Sequence, residues 1–256
     1  MKPNEKRRIF GIDIDALDMA GTLEILEHWI STEHSSCRYV VTPNVDHVVK
    51  LEKDEGFRTA YSGASLVLAD GKPVVLASRV LGLPLPGTVP GSDLVPALFA
   101  HFQTLNRPLS VFLLGAAPGV GLKAAERIQS SWSCVQIVGV LSPPLGFEHD
   151  LEECDRICEA VTKASPDVLV LGLGAPKQEL WVSRFHTRLN AKVALCVGAT
   201  IDFLAGEKSR APKLMRTLGL EWLHRMASEP RRLVKRYIHD AYVFPRLLIY
   251  EVFKKI

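Results

Sequence analysis

Asp70 sits between Ala69 and Gly71 at the end of an apolar run, where a carboxylate could take a proton from an incoming hydroxyl group. Gly71 would let a substrate approach closely, although Asp-Gly is also a common turn. Upstream, Thr42-Pro43-Asn44-Val45-Asp46 offers side chains able to donate to a diphosphate or a sugar hydroxyl, on a backbone stiffened by Pro43. Asn44 or Asp46 could equally cap the following helix. Gly115-Ala116-Ala117-Pro118-Gly119 is a run of small residues before a helical pattern, suited to a phosphate or simply to a tight turn. In Gly172-Leu173-Gly174-Ala175-Pro176-Lys177-Gln178-Glu179, the glycines bring backbone close while Lys177 and Gln178 add polar groups. A dinucleotide fingerprint would want glycine at position 177. Gly198-Ala199-Thr200-Ile201-Asp202 is a weaker candidate for a wall of the same site.

Six apolar stretches are expected to be strands, 38–41, 65–69, 109–114, 135–140, 167–171 and 192–197, and all but 135–140 lead into one of these five segments. Runs such as VFLL and VLVL are apolar throughout, as in strands covered on both faces. Helical patterns fall between them at 46–61, 73–81, 92–105, 120–132, 150–164 and 176–189. Such alternation predicts a doubly wound α/β body with a mainly parallel sheet, whose ligands bind beyond the carboxyl ends of the strands.

The chain has 256 residues, more than the roughly 100–200 of a typical domain, yet one large α/β unit can hold it. Its 47% hydrophobic and 23% charged content fits neither a fibre nor a disordered chain. Five cysteines without metal-ligand spacing read as reduced thiols of a cytosolic protein. The eight histidines show no H-E-x-x-H pattern, and no G-x-S-x-G nucleophile elbow is present. The charged start carries acidic residues where the apolar region of a secretory signal should be, and no run has the roughly 20 apolar residues of a bilayer span.

Charge divides the chain at about residue 206. Residues 207–256 hold 12 Lys+Arg against 5 Asp+Glu, a net of +7, which leaves residues 1–206 at −4. The expected organisation is a body over 1–206 and a basic helical appendage over 207–256. Leu233, Val234, Tyr237, Ile238, Ala241 and Tyr242 form a helical stripe, with Ser228 and Pro230 at its start. That stripe could dock on the body or lie on a membrane surface, and the cations call for an anionic partner. Contacts between copies are a further use for such helices.

Taken in order, Thr-Pro-Asn-x-Asp at 42–46, Ala-Asp-Gly at 69–71, Gly-Ser-Asp-Leu at 91–94, Leu-Gly-x-x-Pro-Gly at 114–119 and Gly-x-Gly-x-Pro-Lys-Gln-Glu at 172–179 form a specific set. The set resembles the WecG/TagA/CpsF family of bacterial glycosyltransferases, which includes N-acetylmannosaminyltransferases of wall teichoic acid synthesis. Glu221-Trp222-Leu223-His224-Arg225 and Glu229-Pro230-Arg231-Arg232 resemble its C-terminal appendage. The resemblance implies a Rossmann-like fold. It also implies transfer of a sugar from a UDP-sugar to a polyprenyl-diphosphate-linked saccharide, with inversion, no essential metal and no cofactor. The place implied is the inner face of the plasma membrane, to which the protein would bind peripherally. Asp70 falls on the family's proposed base and Thr42 on its active-site threonine. Asn44 and Gln178 fall on polar pocket positions, and Arg225, Arg232 and Lys235 near basic residues proposed to close over the diphosphate; from the loop residues themselves, Gly71, Gly115, Ala117, Gly172, Gly174 and Lys177 are further substrate-binding candidates.

One position departs from the pattern. Thr88 stands where the family usually has arginine, so a charged phosphate contact worth roughly 1.5–3 kcal/mol must come from elsewhere, with Lys72, Arg79 or a tail arginine as candidates. Two rival classes follow from the residues. A nucleotide-dependent oxidoreductase lacks its glycine fingerprint and its acidic ribose reader. A sugar-nucleotide binder without catalysis is the other. Nucleic acid is not expected, because Glu221, Glu229 and Asp240 interrupt the basic helices and no binding motif appears.

Overall fold

The computed structural model describes residues 5–32 and 36–254. Its centre is a six-stranded parallel sheet in the order β4-β3-β8-β7-β5-β6. The strands are β3 (Arg38–Val41), β4 (Leu66–Val67), β5 (Leu109–Gly115), β6 (Val135–Leu141), β7 (Val168–Gly172) and β8 (Val193–Cys196). Side chains alternate between faces, so each apolar run feeds two cores. Val111 and Leu113 of β5 join Val168 and Val170 of β7 in one core, while Phe112, Leu114, Leu169 and Leu171 join the other. This fits the doubly wound expectation.

Two elements escape the sequence reading. The N-terminus forms an antiparallel hairpin, β1 (Lys6–Ile9) and β2 (Ile12–Asp15), followed by α1 (Met19–Ser31). Asp18 caps α1 by accepting the Gly21 amide at 2.9 Å. Buried Asp15 accepts the Val67 amide at 2.9 Å and so ties the hairpin to β4.

Three expected boundaries shift. The helix expected at 46–61 divides into α2 (Val45–Leu51) and α3 (Glu55–Ser62), because Asp54 accepts the Phe57 amide at 2.8 Å and starts a new helix. The strand expected at 65–69 narrows to β4. Its continuation is a loop held on both sides: the Asp70 amide donates to Pro43 at 2.8 Å, and the Val89 amide donates to Ala69 at 2.8 Å. That loop leads into α4 (Lys72–Val80). The segment 198–202 is not a loop throughout, since α9 (Thr200–Ala205) begins within it.

Helices α5 (Gly91–Thr104), α6 (Val120–Ser131), α7 (Leu151–Ala164) and α8 (Lys177–Phe185) complete the layers on the sheet. Beyond Gly206 the described chain is helical: α10 (Lys213–Leu218), α11 (Glu221–Ser228) and α12 (Pro230–Lys254). Helix α12 starts at Pro230 as expected and packs on α2. Its docked side differs from the expected stripe. Leu233 and Asp240 are buried, and Phe244, Leu247 and Leu248 pack against the core, whereas Ile238 and Tyr242 of the stripe face outward. All five cysteines are free thiols.

Candidate active site

A cavity of about 310 Å³ opens at the carboxyl ends of β3, β7 and β8, closed on one side by the loop after β4 and capped by appendage residues. Thr42, Asn44 and Asp70 line it, together with Gly172, Gly174 and Gln178. Here the sheet gathers Thr42 and Asn44, Asp70, residues 172–175 with Gln178, and residues 197–199 from four separate stretches of sequence.

Asp70 faces this cavity. Burial, and secondarily the nearby Glu221 carboxylate, push its pKa up to about 7. Arg225 and a hydrogen bond from Asn44 work the other way. Asn44 is oriented by its second duty: as N-cap of α2 its Oδ1 accepts the His47 amide at 3.2 Å. The amide nitrogen is the group left to donate to Asp70. Gly71 follows with φ +99°, a conformation that favours glycine, and lets the chain turn from the carboxylate directly into α4. Thr42 donates its hydroxyl to the Cys196 carbonyl at 3.3 Å, which fixes the end of β3 against β8.

Gln178 is placed at the cavity, but its side chain serves the protein. Oε1 accepts the amides of Gly174 at 3.3 Å and Gly198 at 3.1 Å, and Nε2 donates to buried Glu179 at 2.7 Å. It ties the β7 loop to the β8 loop, so a direct polar contact with substrate gives way to a bracing role. Burial raises the Glu179 pKa to about 7.

Four expected pocket residues do not line the cavity: Gly71, which serves the turn into α4, and Lys177, Gly115 and Ala117. Lys177 turns to Glu148 at 2.9 Å and lies over the Phe147 ring, because the first turn of α8 points that side chain away from the strand ends. Gly115 is a packing glycine: a Cβ there would stand 2.6 Å from the Gly172 backbone. Ala117 accepts the Val120 amide at 3.0 Å in the turn that opens α6, so the 115–119 loop is a strand-to-helix turn beside the site.

The appendage supplies charge from a different subset than expected. Arg225 lines the cavity, and Lys208 and Arg236 join it. Lys235 lines a neighbouring groove instead, one helical step away from Arg236. Arg232 lies in α12, and its side chain is outside the described residues. The cluster 231–236 signalled cations, but helix phase, which decides which of them faces inward, depends on how α12 docks. Lys208 carried no signal in the sequence. Thr88, Lys72 and Arg79 are not among the lining residues. A tail arginine does reach the 91–94 segment: Arg210 donates to Ser92 Oγ at 3.0 Å and to Asp93 at 2.6 Å, and Arg216 to Asp93 at 3.2 Å.

His47 also lines the cavity and was not singled out from the sequence. Burial pulls its pKa down to about 4 and raises that of Tyr61, whose hydroxyl lies 2.6 Å from His47 Nδ1. Asp13-Ile14-Asp15, an acidic pair passed over in the sequence, lies elsewhere, with Asp13 paired to Arg8 at 3.2 Å and Asp15 bonded to β4. Among the described residues, no three His, Cys, Asp or Glu side chains converge as a metal-ligand group.

Comparison with known proteins gives relatives along most of the chain. An N-acetylglucosaminyldiphosphoundecaprenol N-acetyl-beta-D-mannosaminyltransferase of Staphylococcus aureus strain MRSA252 is 29% identical over 230 residues, 88% of this chain and 85% of the relative. The protein of the same name from strain MW2 is 28% identical over the same shares. The model of the glycosyl transferase WecG/TagA/CpsF family matches residues 7–256. With the ordered loops gathered at one end of a parallel sheet, this match establishes that the chain belongs to the WecG/TagA/CpsF family of glycosyltransferases.

Proposed function

We propose that the protein transfers N-acetylmannosamine or a related hexose from a UDP-sugar to a hydroxyl of a polyprenyl-diphosphate-linked saccharide, with inversion and without a divalent metal. The observation that carries this reading is the Asp70 carboxylate at the cavity, hydrogen-bonded by Asn44, with a pKa near neutrality. The staphylococcal relatives are named for transfer of an N-acetyl-β-D-mannosaminyl group. From an α-linked sugar nucleotide, a β-linked product requires a single displacement with inversion.

In this step the acceptor oxygen attacks the anomeric carbon and its proton passes to Asp70. The bond from the anomeric carbon to the diphosphate oxygen breaks, and UDP departs with its added negative charge. A carboxylate with a pKa near 7 is well matched to accept a proton at neutral pH. Arg225 stands where it can offset charge on the leaving diphosphate, and Lys208, held by Asp202 at 3.6 Å and Glu229 at 3.4 Å, lies beside it as a partly compensated cation. Thr42 holds the β3–β8 corner and keeps oxygen lone pairs for a substrate hydroxyl.

The appendage, residues 207–256, brings this site to a membrane-bound acceptor. Helix α12 exposes Ile238, Tyr242, Ile249, Tyr250 and Phe253. Arg231 and Lys235 are exposed on the same helix. No helix of the described residues is long and apolar enough to cross a membrane. Aromatic and aliphatic side chains with nearby cations suit the interface of an anionic leaflet, where each Lys or Arg contributes about 1 kcal/mol.

The test is a panel of UDP-sugars with a short-chain lipid-diphosphate N-acetylglucosamine acceptor in the presence of EDTA. A β-linked disaccharide product, lost in Asp70→Asn, is expected. UDP binding without product from any donor would overturn the reading.

A further inference from the structure

The transfer proposed above leaves His47 without a task. It sits in the first turn of α2 and is 6% exposed. Its amide donates to Asn44, the same side chain that holds Asp70. Helix α2 also borders a neighbouring groove through Asp46, Val49 and Lys50, but His47 lines the cavity that holds Asp70 and not that groove.

Three contacts fix the imidazole. Nδ1 lies 2.6 Å from the buried Tyr61 hydroxyl. Phe57 meets the ring edge-on at 5.6 Å between centroids, and Tyr61 does so at 6.3 Å. Phe57 and Tyr61 pack on each other at 5.0 Å, and both belong to α3, so that helix sets the orientation of the ring. Nε2 has no hydrogen-bond partner among the described residues, yet it is not one of the sealed polar atoms left unpartnered. That nitrogen is open to the cavity.

The surroundings say what it can bind. Burial, with Lys50 and Arg236 and against Asp46, keeps the ring uncharged at neutral pH. The pair also lies close to the base, since the Asp70 carboxylate, like those of Glu179 and Asp46, adds to burial in raising the Tyr61 pKa. Charge on the diphosphate has Arg225 to meet it. An uncharged ring nitrogen suits an uncharged partner, and a hydroxyl, which both donates and accepts, can meet Nε2 in either tautomer.

When the acceptor's proton passes to Asp70, the anomeric carbon of the donor must stand beside that carboxylate, which brings the donor's sugar ring next to α2. We propose that His47 is a specificity-determining residue, whose Nε2 hydrogen-bonds a hydroxyl of the donor sugar while Tyr61 and Phe57 hold the imidazole in place. The assignment rests on the transferase reading above. It separates the side chain that reads the hexose from the groups that hold UDP.

The test titrates UDP and UDP-N-acetylmannosamine calorimetrically against the full chain, without acceptor. His47→Phe keeps a ring against Phe57 and Tyr61 but has no nitrogen. Its preference for the sugar nucleotide over UDP should fall by about five- to tenfold, with UDP affinity within about threefold of the wild type. His47→Gln, which restores a polar group, should recover part of that preference. Tyr61→Phe removes only the hydroxyl that holds Nδ1, and its preference should lie between those of the wild type and His47→Phe. An unchanged preference in His47→Phe, a parallel loss of UDP affinity, or a wild type that binds the two ligands equally would overturn the assignment. Failure of the transferase reading would look different: a preference for the sugar nucleotide that depends on His47, with no product formed on any acceptor.

Discussion

Asn44 holds the α2 N-terminus with one end of its amide and the Asp70 carboxylate with the other. A helix cap and a candidate base are thereby locked to one side chain. The base is positioned by a helix cap 26 residues earlier in the sequence.

Asp70→Asn keeps the shape of the side chain and removes the proton acceptor. Turnover should fall by about 10²–10⁴-fold, with UDP affinity within threefold, because a general base acts on the chemical step. In the wild type, turnover should rise with pH through about 7 as Asp70 ionises. Rapid-quench kinetics with isothermal titration would check both, and an unchanged turnover in the variant would remove Asp70 from the mechanism.

The same substitution should stabilise the fold at alkaline pH. The pKa of Asp70 is raised from 3.8 to about 7 on folding, so the native state holds a proton that the unfolded chain has lost. Native stability therefore declines as pH rises from about 4 through 7, and the decline stops above that range. Asn carries no such proton. Thermal melts should show the variant gaining on the wild type between pH 4 and 8, and coinciding trends would refute the shift.

Asn44→Ala removes both functions at once. Loss of the cap costs about 1 kcal/mol. Losing the hydrogen bond that lowers the Asp70 pKa should move the midpoint of the pH–rate profile upward. A lowered melting temperature with an unmoved midpoint would mean that Asn44 is only a cap.

Gln178→Ala and the adjacent Lys177→Ala should differ sharply. Gln178 satisfies two backbone amides and Glu179 in a buried setting, so its loss should cost more than about 2 kcal/mol and weaken UDP binding. Lys177 makes a partly exposed pair with Glu148, worth about 0.2–1 kcal/mol, and its loss should leave UDP affinity unchanged. Chemical denaturation with titration would separate them, and equal effects would contradict the bracing role.

Gly115→Ala should damage the fold before the chemistry. Its φ of +122° disfavours any L side chain, and a Cβ would press on the Gly172 backbone. The expected result is a destabilisation of about 2 kcal/mol or more, with UDP affinity preserved in whatever fraction folds. A stable variant that has lost UDP binding would return this glycine to the ligand site.

Residue patterning alone was enough to specify the layered α/β body and the end of the sheet where ligands meet. Short continuous apolar runs alternating with helical patterns fit parallel strands buried on both faces, and the polar, glycine-bearing segments that follow them then gather at one edge. Asp70, Asn44 and Thr42 were legible on that ground. Their neighbours were decided by tertiary structure. Whether a residue on α8 or α12 faces the cavity depends on helix phase and docking angle, so Lys177 turned out to pair with Glu148 while Arg236 entered the site. The roles of Gly115 as a spacer and Gln178 as a brace arise from β7 lying beside β5 and β8, an adjacency between segments distant in the chain. The raised pKa of Asp70 has the same origin, since burial and the charges of Glu221 and Arg225 reach it only once the appendage has folded over the strand ends.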